Sequence, residues 1–178
     1  MNKSQLTNFI TKYTLGGEIK STKWTSDGNS LSTRFISGDK SVVGKVELNS
    51  FSHLSPCELG VYNTGQLSSL LSVLGDDIEV SLSNSGDKFI SMEFEDTKRK
   101  TKSKYMLSDL SVIPTPPELK NLPDSFELGI KVDPYFVNTF ISGKGALAEA
   151  ETFTILTENG ETKIVIGYAS IASNRVTI

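Results

Sequence analysis

ELGVYNTGQLSSLLSVLG, Glu58 to Gly75, is answered later in the chain by ELGIKVDPYFVNTFISGKG, Glu127 to Gly145. Each stretch opens on a short apolar run of strand character, passes a turn and continues as an amphipathic helix. In the earlier one, Leu67, Leu70, Leu71 and Leu74 fall on one stripe of a 3.6-residue period. In the later one, Asp133 stands as an N-cap with Pro134 at the first helical position, and Phe136, Val137, Phe140 and Ile141 form the stripe. Hairpin sequence follows both. The chain therefore writes one structural unit at least twice.

After the earlier stretch come IEVSL, the turn SNSGDK, FISMEF and the run KRKTKSKYM, which complete a βαβββ order. After the later one come TFTIL, the turn ENGE and TKIVIGYA, and the closing NRVTI opens one more strand. Upstream, Leu6, Phe9, Ile10 and Tyr13 place a helix over Lys3 to about Thr14, stopped by Gly16-Gly17. GEIKSTKW, SLSTRFIS and VVGKVEL then read as three strands, so a first module precedes the other two, without a clear leading strand. Amphipathic helices on one face of mostly antiparallel sheets make an α+β architecture. Between the second and third modules lies LSDLSVIPTPPELKNLPDS, with Pro114, Pro116, Pro117 and Pro123. Proline fixes φ and removes a backbone donor, so this segment reads as an extended connector. The expected organisation is residues 1–106 as a first domain of two modules, 107–123 as the connector and 124–178 as the first module of a second domain.

The bulk numbers narrow the function. The chain has 178 residues, a formal net charge of −3, one cysteine and one histidine. A net negative charge gives no global attraction to nucleic acid, so any DNA-facing surface must be local. A lone Cys57 excludes an internal disulfide and fits a reducing cytoplasm. No apolar run approaches the length of a membrane span. His53 and Cys57 sit in FSHLSPCELG and read as a partly buried loop histidine and a packed cysteine. No metalloprotease, nucleophile-elbow, phosphate-loop or paired-cysteine pattern occurs. We therefore expect no catalytic residue, no thiolate or imidazole metal site and no cofactor.

GVYNTGQLSSLLSVLGDDIEVSL, the connector SVIPTPPELKNLP and the opening FELGIKVDPYFVNTFIS together resemble a DNA polymerase sliding clamp. Within that family the resemblance is to the processivity factor of T-even-type bacteriophages, and it covers nearly the whole chain in order. It implies a ring of head-to-tail domains, each a pair of modules, with helices lining a hole for duplex DNA and sheets outside. The implied partners are duplex DNA without sequence preference, DNA polymerase and a clamp loader, in replication and late transcription, with no chemistry of the ring's own. It also implies four modules per subunit and a homotrimer. The present sequence stops inside a third module, so the expectation for it is truncation, with self-association or a monomer in place of a closed ring. A structural or virion-associated phage protein with duplicated modules and no DNA role is the alternative, and a hydrolase stands behind both.

Clamp helices should present Lys and Arg to phosphates. The candidates are Lys3 and Lys12 on the first helix, Lys131 before the third and Lys144 near its end; the first two read equally as ordinary solvated residues. As a strand, the run Lys98 to Lys104 would place Lys98, Lys100, Lys102 and Lys104 on one face. Such a row either grips phosphates or guards an exposed edge, and outward-facing clamp strands favour the guard. For a partner's hydrophobic peptide tail the candidates are Tyr105, Met106, Leu107, Leu110, Val112, Ile113 and Leu119. The same residues could instead staple the connector to the sheet.

Overall fold

The structure, a computed structural model, describes residues 1–118, 124–169, 171 and 173–178. The chain divides into two compact units, Met1–Asn121 and Leu122–Ile178.

In the first unit, α1 (Lys3–Thr14) starts where the Asn2 side chain accepts from the Ser4 N–H at 2.9 Å, and stops at Leu15, which adopts a left-handed conformation. Its stripe of Leu6, Phe9, Ile10 and Tyr13 is buried throughout. β1 (Thr22–Ser26), β2 (Leu31–Ile36) and β3 (Val43–Leu48) follow as an antiparallel meander. β1 starts at Thr22, later than GEIKSTKW suggests, because the chain first turns back on α1: the Ile19 N–H bonds the Thr14 carbonyl at 3.0 Å. β4 (Cys57–Val61) joins the far side of β1, giving the order β3-β2-β1-β4. α2 (Thr64–Ser72) is capped by Asn63, and Leu67, Leu71 and Leu74 are buried beneath it while Leu70 is half-buried. β5 (Glu79–Ser85), β6 (Lys88–Asp96) and β7 (Thr101–Met106) make a second antiparallel sheet in that order.

The leading strand of module two thus pairs with module one, through Leu59 opposite Trp24 and Val61 opposite Thr22. Module one returns the exchange in miniature. Met1 and Ile78 bond each other's backbones at 2.6 and 3.0 Å, and the Lys3 N–H bonds the Asp76 carbonyl at 2.7 Å. Two modules are therefore stitched reciprocally, and α1 packs against α2. The core between them includes Phe9, Tyr13 and Trp24, whose rings meet edge to face at 5.4–6.3 Å. The Trp24 Nε1–H donates to the Tyr13 hydroxyl at 3.2 Å, and that hydroxyl lies 3.3 Å from Thr64 Oγ1 at the start of α2. Burial pushes the Tyr13 phenol up to about 12, so it stays neutral and keeps the tie.

In the second unit, α3 (Pro134–Ala146) opens where Asp133 accepts from the Phe136 N–H at 2.8 Å. β8 (Phe153–Glu158) and β9 (Glu161–Ile166) form a hairpin, and the short β10 (Val176–Thr177) pairs with the far side of β9. FELGIKV, read above as a strand, is corrected here: no ladder forms over residues 126–132. The reason lies in the first unit, where a leading strand pairs with the other module's sheet and not with its own.

Candidate nucleic-acid interface and connector cleft

Lys3 is half-buried on α1, and its Nζ donates to the Leu74 carbonyl at 2.5 Å just past the end of α2. Lys12 is exposed in the last turn of α1, where a cation complements the helix dipole. Lys131 is exposed in the segment before α3. Lys144 is half-buried in the last turn of α3, its Nζ donating to the Ala148 carbonyl at 2.8 Å. Lys3 and Lys12 share one helix of the first unit; Lys131 and Lys144 belong to the second.

The charge these helices lack is a stronger signal than the cations they carry. Among the described residues, none of the three α-helices contains an Asp or a Glu, although the chain has 21 of them. Helices ordinarily gain about 0.3–1 kcal/mol from an acidic residue near the N-terminus. Here α1 and α2 carry no acid in the first turn, and both are capped by neutral asparagine. The exposed positions of α1 and α2 are instead Ser4, Gln5, Thr7, Asn8, Gln66 and Ser69, among others of the same kind. Several hydroxyls fold back onto their own helix: Thr11 donates to the Thr7 carbonyl and Ser69 to the Gly65 carbonyl. The result is a helical surface without fixed negative charge in an otherwise acidic chain.

The basic run is corrected in part. β7 begins at Thr101, so Lys98 and Lys100 lie in the β6–β7 turn and do not continue the row of Lys102 and Lys104. Lys98 instead bonds the Asp77 carboxylate, while Lys102 and Lys104 pair across the ladder with Glu95 and Glu93 at 2.8 and 2.9 Å. The Lys104 ammonium holds the Glu93 carboxyl below the usual carboxylate range. Lys102 and Lys104 are thus partnered within the sheet.

The connector candidates divide. Tyr105 is buried on β7 and its hydroxyl accepts from the Asn63 N–H at 2.9 Å; Ile113 is buried as well. Met106 and Val112 are exposed, and Leu107 and Leu110 are half-buried. Leu119 lies outside the described residues. Beyond β7 the chain is pinned to the outer edge of β4, where the Ser108 N–H bonds the Gly60 carbonyl at 2.9 Å. A Cβ on Gly60 would sit 2.2 Å from the Ser108 carbonyl oxygen, so glycine is required there. Next to this junction opens a cleft of about 520 Å³, walled by Phe89, Ile90, Leu107 and Leu110 and flanked by Lys88 and Asp109, which are paired at 2.6 Å. Phe89 and Ile90 were not anticipated from the sequence. β6 carries one extra residue against β5, since Ser83 pairs with Ser91 but Asn84 with Phe89, and this bulge leaves Ile90 without a partner on β5 while its carbonyl still accepts from the Leu107 N–H at 2.9 Å.

Neither His53 nor Cys57 has the features of a nucleophilic site. His53 is exposed and rests edge-on against Phe51, and burial raises the Cys57 thiol, opposite to the shift a thiolate nucleophile needs. Among the described residues no group of three His, Cys, Asp or Glu side chains is placed to hold a metal ion, and no helix is long and apolar enough to cross a membrane.

No family model matches the sequence, and no curated protein matches it. Among solved structures, a chain of the PCNA2–PCNA3 complex from Sulfolobus tokodaii is similar over 100% of this chain and 71% of its own length, with a TM-score of 0.58 and 14% identity. The chain thus has an α+β, PCNA-like sliding-clamp fold.

Proposed function

We propose that this chain is a DNA polymerase processivity factor of the T-even bacteriophage type. It encircles duplex DNA without sequence preference and tethers the polymerase, with no catalytic step and no cofactor. It works in the cytoplasm of the infected host, is placed on DNA by a clamp loader, and serves late transcription as well as replication. The observation that carries this reading is the absence of every carboxylate from the three helices among the described residues of a clamp fold. Phosphate repels fixed negative charge, so a DNA-facing wall must first exclude acids; added cations only set how tightly it holds. Lys3, Lys12, Lys131 and Lys144 are the proposed phosphate contacts. The cleft at Ile90, Leu107 and Leu110 takes a hydrophobic peptide tail of the polymerase or loader, with Met106 and Val112 on nearby exposed backbone.

Primer extension on a circular template, with the polymerase and clamp loader of the same source, tests the function. Added chain should lengthen the products, and the triple variant Gln5→Glu, Asn8→Glu, Gln66→Glu should abolish the gain with an unchanged far-UV spectrum, since all three positions are exposed. Equal product lengths with and without the chain would remove the reading and favour a virion-associated role.

A further inference from the structure

The outward face of the first sheet holds a charge arrangement that its own residues do not balance. Along β1 and β2 alternate side chains are buried, Trp24 and Thr33 among them, and Lys23 and Arg34 point the other way. Lys23 stands directly opposite Arg34, and Arg34 directly opposite Lys45 on β3, so three cations form one row across three adjacent strands. Like charges directly opposite one another destabilise a ladder. The β6–β7 ladder shows the ordinary solution, with Glu93 facing Lys104 and Glu95 facing Lys102 at ion-pair distance. In the row on the first sheet only Lys45 has a carboxylate, that of Glu47 two residues along its own strand at 2.7 Å. Among the described residues no carboxylate pairs with Lys23 or Arg34, although Glu58 lies diagonal to Lys23 and Glu18 shares a cleft wall with Arg34. Guarding a sheet edge accounts for Lys45, since β3 is the end of the order β3-β2-β1-β4. It does not account for Lys23 and Arg34, which stand on interior strands.

An unbalanced row of this kind is complementary to an acidic partner, and its surroundings say which sort. No aromatic side chain stands on this face of β1, β2 or β3, so the bases of a single strand would find nothing to stack on. One row along, Glu58, Thr25, Ser32 and Glu47 face one another in turn, and the two acids there would repel phosphates continuing in that direction. The row of cations is short, about 10 Å over two interstrand spacings. Its successive Cβ atoms are about 4.5–5.5 Å apart, as directly opposite residues are. A helix matches both lengths: residues three and four apart are about 5–6 Å from each other, and seven residues rise about 10.5 Å. We propose that this face docks a partner protein's helix, laid across the strands, that carries Asp or Glu at positions i, i+4 and i+7. Its carboxylates meet Lys23, Arg34 and Lys45, the last exchanging Glu47 for the partner, and the Arg34 guanidinium can take its carboxylate through two N–H groups. Lys20, on the same cleft wall as Arg34, adds a cation at the rim. The proposal stands on the register of the first sheet and does not need the processivity reading.

Fluorescence anisotropy at low ionic strength tests it, with a labelled alanine-based peptide long enough to be helical in water and carrying Glu at i, i+4 and i+7. The full chain should bind this peptide with a dissociation constant of roughly 100 µM, and Arg34→Glu should raise that constant at least about tenfold. A peptide of the same composition with its glutamates spread around the helix should bind at least about fivefold more weakly. Arg34 is exposed, so the far-UV spectrum of the variant should be unchanged. Without peptide and in low salt, Arg34→Gln should raise the melting temperature by about 1–4 °C, because it removes two like-charge pairs. A chain that binds neither peptide at about 1 mM, binds both equally, or ignores Arg34→Glu overturns the proposal. So does a lower melting temperature for Arg34→Gln, since the guanidinium would then have a partner within the fold. Tighter binding of a single-stranded oligonucleotide of equal charge than of the striped peptide also overturns it and assigns the row to phosphates.

Discussion

The two units use one sequence plan, and only the first is closed. In Met1–Asn121 the ELG strand, the helix stripe and the first strand after the helix all contribute to one core. In Leu122–Ile178 the helix cap and the hairpin form equally well, yet Leu128, Ile130, Phe153 and Ile155 stay exposed. Caps and hairpins are local and need nothing beyond their own residues. A leading strand and the edge that receives it need a second module. Burial in this fold is a property of the pair.

The largest test of that contrast is Leu59→Ala against Leu128→Ala. The first should cost about 2–5 kcal/mol in urea unfolding, the range for truncating a packed leucine. The second, at a side chain 40% exposed, should cost under about 1 kcal/mol. Equal losses would break the comparison. Next comes the glycine pair. Gly60→Ala forces a methyl onto the Ser108 carbonyl and should cost about 1–3 kcal/mol, with early proteolysis of the connector. Gly129→Ala meets open space and should change thermal stability little or raise it by up to about 1 kcal/mol. Smaller again, Tyr13→Phe strips the hydroxyl that joins Trp24 to Thr64 and should cost about 1–2 kcal/mol by thermal denaturation.

The smallest effect separates two hairpins by pH. At the β2–β3 turn Asp39 is pulled down to about 2 by the Ser37 hydroxyl and then by the Ser41 N–H and hydroxyl. Its folded value lies below its unfolded one, so its contribution is present above the ordinary carboxylate range and is lost as pH falls through about 2. The β8–β9 turn is built on the neutral pair Asn159-Gly160. Carboxyl NMR titration should show Asp39 ionised well below pH 4, with amide exchange rising in its hairpin over that interval.

Much of this was legible in the sequence because much of it is local. The stripes of α1 and α2, the Asp133-Pro134 helix start and the hairpin turns follow from periodicity and side-chain chemistry over a few residues. FELGIKV has every feature of a strand but depends on a partner that its own residues do not name. The reciprocal pairing at Met1–Lys3 escaped because two or three residues carry no period. Lys98 and Lys100 fit a period-two row only if no turn intervenes, and Asp96 makes one by accepting from the Lys98 and Arg99 N–H groups. The bulge that exposes Ile90 shifts a register, which is a relation between strands. The acid-free helices could have been read directly, by asking which charge is missing and not only which is present.

Those neutral helix faces have a mechanical corollary. Of the three lysines on the described helices, Lys3 and Lys144 donate to carbonyls and would have to exchange those bonds for phosphates, so under the proposed role one chain would neutralise few phosphates. If the proposed processivity role holds, the logarithmic salt slope of DNA association should be shallow, roughly −1 to −3 per chain. Amide and hydroxyl groups trade bonds with water at little net cost, so under the proposed processivity role such faces would act as a lubricated bearing with low drag along the duplex. Grip under that proposed role would reside in enclosure, so added salt would barely release a threaded molecule while a single cut in circular DNA would let it run off the end.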